Sequence, residues 1–325
     1  MFKKDIGLLL LILVVGTVVA VINPLFLSAI NLGNTANLVG LFGIFAIGQA
    51  FVIITGGIEL SVGSIIALLG VLFVDLIVGH EMAWPLALVL MLALGVLIGL
   101  IHGLLITRMH MQPFIVTLCG LLIYRGAARF YTQDGTAGFG FGVSFPQLEW
   151  LATGRSLGVP HSFIALIIIA CLMWVVLHRS VFGRYLYAVG KNEEAARYSG
   201  IRTNRVIIAA YIISAVLTAI SAIFFAMYTR SISPSSHGNF YELYAIAAAV
   251  LGGCSLRGGE GSIVGVVLGT VLLQVLQNLV NLLGIPSSLN FAVMGSVILI
   301  GVLADQQFAE YRKRKSEAAG KIPAS

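Results

Sequence analysis

The sequence is short of charge. Lys, Arg, Asp and Glu together make up 10% of its 325 residues, against about a quarter in a soluble domain. Such a chain cannot cover a globule with polar groups, which excludes a soluble domain carrying one anchor. Cysteine is scarce as well. Cys119, Cys171 and Cys254 lie far apart, in or beside apolar stretches. They have no metal-ligand spacing and read as small hydrophobes. No G-x-x-x-x-G-K-[ST] occurs. The two Gly-Lys pairs, Gly190-Lys191 and Gly320-Lys321, lack the required flanks, so the chain has no P-loop with which to hydrolyse ATP. There is no nucleophile–base pair and no pair of carboxylates on one helix face, which argues against a membrane enzyme. No catalytic residue, metal or cofactor is expected.

What is present is apolar: 59% of residues are hydrophobic. Irregular backbone is nearly forbidden in lipid, and the runs are unbroken rather than alternating. The expected fold is therefore an all-α integral membrane protein, a polytopic helical bundle forming one transmembrane domain over 1–325. Ten spans are expected, at 6–23, 36–55, 60–79, 84–106, 113–130, 161–178, 206–228, 241–255, 262–283 and 290–304. The eighth is short for a full crossing. Lys3-Lys4 before an apolar stretch without an A-x-A site reads as an uncleaved first helix. With both termini inside, fifteen of the nineteen basic residues fall on the cytoplasmic side; Arg125, Arg129, Arg155 and Arg230 are the rest. The net charge of +6 thus records orientation rather than nucleic-acid binding. The tail, about 305–325, carries Arg312-Lys313-Arg314-Lys315, which suits anionic lipid at the cytoplasmic surface.

The run from about Ala36 to Val78 is too long for one crossing: about 43 residues would reach ~65 Å, twice the hydrocarbon thickness. It is interrupted by Gly56, Gly57, Glu59, Ser61 and Gly63. One reading is a tight turn near the cytoplasmic face, with Glu59 at the positive end of the next helix and Ser61 satisfying its free N–H groups. The other is a deeper elbow lining a pathway, since an acid within a span marks function by default. A similar punctuation returns at Arg257-Gly258-Gly259-Glu260-Gly261-Ser262, a hint of an internal repeat.

The inside loop, about 179–205, holds a two-turn helix by its caps. Asn192 is the N-cap, Glu193 and Glu194 occupy the first turn, Ala195 and Ala196 are strong helix formers, and Gly200 is the stop. So short a helix needs a surface to pack on, its own bundle or a partner. Glu194-Ala195-Ala196-x-x-x-Gly200 resembles the EAA-x-x-x-G motif of permeases of ATP-binding-cassette importers. Gly183-Arg184, Ala188-x-Gly190-x-Asn192 and Gly57-Ile58-Glu59-Leu60-Ser61-Val62-Gly63 are similar to the ribose/galactose-type sugar permeases, with Glu59 where that branch more usually has Asp. The glycine-rich stretch 252–269 also looks like the family's late segment, and the resemblance runs from about residue 6 to 305. It implies a coupling helix at Asn192–Gly200 that inserts into cytosolic ABC ATPase subunits. It also implies a periplasmic sugar-binding protein, a second permease copy or paralogue, and a place in the bacterial inner membrane.

Outside the bundle, about 131–160 offers Phe139, Phe141, Phe145 and Trp150 among glycines, either to dock a binding protein or to form a lid. Polar residues within spans are Gln49, His102, Gln274, Gln277, Asn278 and Asn281. Gln49, Gln274, Asn278 and Asn281 are candidates for a sugar pathway, the last three recurring on one helix face; interhelical hydrogen bonding is the plainer alternative. His102 alone reads as a satisfied packing residue, and Arg125 and Arg129 as marking the outer end of a span. The function expected is the permease subunit of a monosaccharide importer. An ion-coupled carrier would need embedded titratable groups, for which Glu59 and Asp75 are the main candidates. Nucleosides or other small polyols are alternative cargo.

Overall fold

The computed structural model describes residues 2–286 except 141, and isolated positions between 289 and 299. The basic tail and all but isolated positions of the expected tenth span lie outside the described residues.

Twelve α-helices succeed one another among the described residues: α1 (Phe2–Ile22), α2 (Ala29–Ile54), α3 (Val62–Val78), α4 (Trp84–Arg108), α5 (Pro113–Thr132), α6 (Pro146–Thr153), α7 (His161–His178), α8 (Val181–Lys191), α9 (Glu193–Tyr198), α10 (Thr203–Thr229), α11 (Tyr241–Leu251) and α12 (Ile263–Leu282). Seven of them, α1, α2, α4, α5, α7, α10 and α12, are long and apolar enough to cross a membrane. The nine expected spans within this range each meet a helix. The shortest, α11, has 11 residues and reaches only ~16 Å, about half a bilayer.

The long helices pack around α2 and α10. Helix α2 buries Val39–Leu41 and the whole run from Gly43 to Ile54, while α1 leaves most of its side chains exposed and touches mainly α12. Lipid tails are as apolar as leucine, so close approach of backbones, not water exclusion, holds such helices together. The α4–α10 contact shows how. Gly95, Gly99 and Gly103 recur every four residues on one face of α4. A Cβ on Gly99 would stand 2.5 Å from the Tyr211 carbonyl, and one on Gly103 would stand 2.7 Å from the Ile208 Cα.

Two connections between helices are irregular. After α2 the chain turns at Thr55-Gly56-Gly57, with Gly56 in the left-handed region, and runs non-helically to α3. After α10 it pairs Ser231-Ile232 with Ala137-Gly138 and then turns through 233–240 before α11 begins. The second stretch meets the start of α3: a Cβ on Gly63 would fall on the Gly238 carbonyl oxygen, and one on Gly238 would fall on that of Gly63. Irregular backbone in a membrane protein persists only where protein covers it. Here α5 supplies part of the cover, for Arg125 Nη1 donates to the Pro234 and His237 carbonyls (2.8 and 2.6 Å). Arg125 therefore fastens the irregular segment, while Arg129, one turn on, pairs with the exposed Asp134.

Candidate functional site

The elbow after α2 is buried, and its acid is fully engaged. Glu59 is 3% exposed. One carboxylate oxygen accepts from the Ser61 backbone N–H (2.7 Å) and the Ser61 hydroxyl (2.6 Å). The other lies 2.9 Å from His102 Nδ1 on α4. A carboxylate only accepts, so Nδ1 carries the hydrogen, and Nε2 is left to accept from the Tyr124 hydroxyl of α5 at 2.8 Å. Gly120 leaves room for the ring, since a Cβ there would come 2.8 Å from Nε2. With its amide oriented to satisfy both groups, Gln49 donates to the Glu59 carbonyl (3.1 Å) and accepts from the Glu59 N–H (3.3 Å). Thr117 bonds the Ile58 carbonyl. The buried Tyr211 ring stands edge-on to His102; its hydroxyl has no hydrogen-bond partner among the described residues.

Ser61 differs from expectation. It has helical backbone angles and makes no side-chain cap, because its hydroxyl is spent on Glu59. The carboxylate takes the first free N–H instead, as a negative group at a helix start should. His102 is a satisfied buried histidine, as its chemistry suggests, but its partner is the very acid that stands out in the sequence. The signal is present there: His102 and Tyr124 are the polar groups facing the elbow from neighbouring spans. Glu242, in the first turn of α11 and also buried, escapes sequence reasoning because it sits at the end of an apolar run.

The elbow lies toward one face of the bundle. His102 stands six residues before the end of α4, about 9 Å in from that end. At the rim, the Gly259 N–H donates to the Ile54 carbonyl (2.8 Å), so the two glycine punctuations touch. Gly190 of α8 packs on both: a Cβ there would overlap the Ile54 carbonyl oxygen and crowd the Gly259 backbone. The sequence reads as loop over 181–191. The segment is an amphipathic helix, capped by Ser180 on the Gly183 N–H, which buries Gly183, Leu186 and Val189. Cys254 is buried nearby, the small hydrophobe that its surroundings suggest.

Helix α9 comes directly after α8. Asn192 Oδ1 accepts from the Ala195 N–H at 2.9 Å, and Gly200 takes the left-handed conformation, so both caps stand as expected. Glu193 binds Arg197 one turn on and Thr203 at the start of α10. Ala196 is buried while Glu194, Ala195 and Tyr198 face outward, Tyr198 at 91% exposure. Tyr198 is absent from the expected set, since an aromatic in a helix reads as core until the packed face is known.

The span amides separate. Asn278 exchanges two hydrogen bonds with Asn31 (2.8 and 3.0 Å), which ties α12 to α2. Gln274 is buried beside Phe42, Phe45 and Tyr244, Gln277 lies 3.5 Å from the Tyr244 hydroxyl, and Asn281 is exposed. The aromatic rings of Phe42 and Phe45 on α2, Phe225 on α10 and Tyr241 on α11 form a cluster with centroids 4.8–6.5 Å apart.

On the opposite face, helix α6 and the two short ladders cover the bundle. Arg230 donates to Glu149 (2.8 Å) and to the Val143 carbonyl. The Arg230 hydrogen bond, then that of the Phe145 N–H, holds the Glu149 carboxyl below its ordinary range. Phe139 and Phe145 pack edge to face, whereas Trp150 is 62% exposed. Among the described residues no three His, Cys, Asp or Glu stand close enough to hold a metal.

Known proteins resemble the chain along most of its length. Residues 31–302 match the family model described as branched-chain amino acid transport system, permease component. The chain is 40% identical to the ribose import permease protein of Bacillus subtilis over 302 residues, covering 93% of this chain and 91% of that protein. It is 39% identical to the ribose import permease protein of Escherichia coli K12 over 305 residues, 94% and 93% of the two chains. The fructose import permease protein of Bifidobacterium longum is 32% identical over 255 residues, 78% of this chain and 71% of that one. No solved structure matches. A polytopic helical chain matched over most of its length by this family model and by these permeases belongs to that family of transport-system permease components, inner-membrane translocation subunits rather than enzymes.

Proposed function

We propose that this chain is the transmembrane subunit of an ATP-binding-cassette importer, carrying a monosaccharide from a periplasmic binding protein into the cell. Separate cytosolic ATPases supply the energy, and the chain works in pairs, with a second copy or a paralogue. Both termini are cytoplasmic in this reading. The observation that carries it is α9. A six-residue helix capped at both ends, buried only through Ala196, presents Glu194, Ala195 and Tyr198 to solvent. A helix that short is marginal alone and gains a purpose if its bare face enters a groove on an ATPase. Its motion has a route inward: α8 is continuous with it, and Gly190 touches both glycine punctuations. The elbow at Gly56, Gly57, Glu59, Ser61 and Gly63 is then the hinge that α8 pushes. The half-buried face with Gln274 and Gln277 lies toward the cargo, with Asn278 bracing α12 and Asn281 at its open end, while Gln49 braces the hinge. The segment 131–160 would receive the binding protein.

The test is purification of the tagged chain from its host in mild detergent. A P-loop ATPase should come with it in comparable amount, and Glu194→Lys should insert normally yet lose most of that ATPase. Undiminished association of the variant would remove α9 from the interface. One observation favours a second reading: Glu59, His102 and Tyr124 form the embedded titratable set that an ion-coupled carrier needs. A chain that purifies alone and moves sugar down a proton gradient would establish it.

A further inference from the structure

At the face opposite α8 and α9, a cleft of about 250 Å³ opens between α2, α6 and α10. Asn34, Asn37, Glu149, Arg155, Tyr228 and Arg230 line it. Asn37 stands 17 residues before the elbow, about 26 Å away along α2, so the cleft belongs to the extracytoplasmic mouth. We propose that it is the entrance site for a neutral monosaccharide, and that the aromatic cluster beneath it closes the path. This deepens the importer reading and rests on it.

The chemistry is that of hydroxyl recognition. A sugar offers donor–acceptor hydroxyls all round and has no charge. It is matched by amides, a carboxylate and guanidinium groups held in fixed positions. The fixing is visible. Arg155 donates to Asn34 Oδ1 at 3.2 Å, Ser162 donates to Asn37 Oδ1 at 2.5 Å, and Arg230 is held by Glu149. Both asparagines are thus engaged through their oxygens, leaving their NH₂ groups free of partners among the described residues, as is the Tyr228 hydroxyl. Glu149 balances one of the two guanidiniums. Met227 and Pro160 add apolar surface beside these polar groups, as the C–H faces of a sugar ring require.

The residues below fit the same cargo. Phe42 is five residues further along α2 than Asn37, and Phe225 one turn before Tyr228 on α10. The four-ring cluster therefore begins about one to one and a half turns, ~5–8 Å, beneath the polar groups. Aromatic faces suit the C–H surfaces of a sugar ring, and rings packed in contact make a plug that must part for passage.

The experiment uses the full importer, with its ATPase and binding protein, in proteoliposomes. Uptake of labelled ribose, fructose and leucine is measured. Asn34→Trp fills the mouth at an exposed position; Asn34→Ala and Tyr228→Phe remove one polar group each while keeping size or ring. Expected is uptake of ribose or fructose by the parent importer, reduced at least tenfold by Asn34→Trp and several-fold by each smaller change. The binding protein sets half-saturation, so the loss should fall on maximal rate. If Asn34→Trp fails to assemble with the ATPase, the two smaller variants decide. Sugar uptake within twofold of the parent in all assembled variants would overturn the cleft and leave the importer reading intact. A parent that moves leucine and neither sugar would overturn the cargo, and the cleft with it.

Discussion

The two glycine punctuations read alike in sequence and end in opposite places. Gly56-Gly57 leads to Glu59 and Ser61; Gly258-Gly259 leads to Glu260 and Ser262. They touch at Ile54 and Gly259. Yet Glu59 is buried with four partner groups counting the Gln49 amide on its backbone, while the Glu260 side chain is over half exposed and pairs with Lys191, its carbonyl accepting from the Ser255 N–H. The difference lies in the path of the chain beyond the glycines. After Gly57 the chain runs on through Ile58 to Ser61 before α3 begins, which carries the acid inward between α4 and α5. After Gly259 the chain turns at once, and Ser262 caps α12 by accepting from the Gly265 N–H (3.3 Å). Placement of the acid, not the local pattern, separates a buried fastening from a rim contact.

The largest test of that contrast is His102→Ala. Removing the imidazole takes a hydrogen-bond donor from the buried Glu59 carboxylate and leaves a cavity, at a cost of about 3 kcal/mol. The variant should unfold well below the parent in detergent, followed by thermal loss of the monodisperse peak. Adding Glu59→Gln should recover part of the loss, because the charge deprived of that donor is then gone. No recovery would mean that His102 stabilises by packing alone, and the distinction between the two acids would shrink to burial.

Gly190→Ala comes next, because Gly190 of α8 touches both punctuations. A methyl group there overlaps the Ile54 carbonyl, and backbone cannot move aside as a side-chain tip can. Overpacking of this kind costs about 1–3 kcal/mol. The expected result is an assembled importer whose ATP hydrolysis continues while uptake falls severalfold. Parallel loss of both would make the contact merely structural.

Much of this is legible without the fold. Hydropathy finds every long helix, because a lipid-facing span must be apolar along its whole length. The caps of α9 are legible because Asn192 and Gly200 act within one turn. The features that stay hidden depend on partners distant in sequence. Helix α8 hides because its polar face looks like a loop until Leu186 and Val189 have something to cover. The Glu59–His102–Tyr124 chain joins the elbow to α4 and α5, and no local rule pairs residues 43 positions apart. Ser61 misleads for the same reason: a serine before a helix is usually its cap, and here a nearby carboxylate takes precedence.

The smallest effect should come from the second acid. Glu260 and Lys191 hold each other at 2.7 Å, but both side chains are more than half exposed. Such pairs lose in side-chain ordering and screening most of what they gain by attraction. Glu260→Gln should therefore change the midpoint of thermal unfolding by no more than about 0.5 kcal/mol would. Any difference should vanish when salt is raised from low to about 1 M, where the screening length falls to about 3 Å. The same salt change should leave the His102→Ala deficit nearly untouched, because no ion reaches a carboxylate closed in by α4, α5 and Ser61. A salt-insensitive loss at Glu260 would mean that the second punctuation is also covered, by a partner seated on that rim, and the asymmetry between the two breaks would belong to the isolated chain alone.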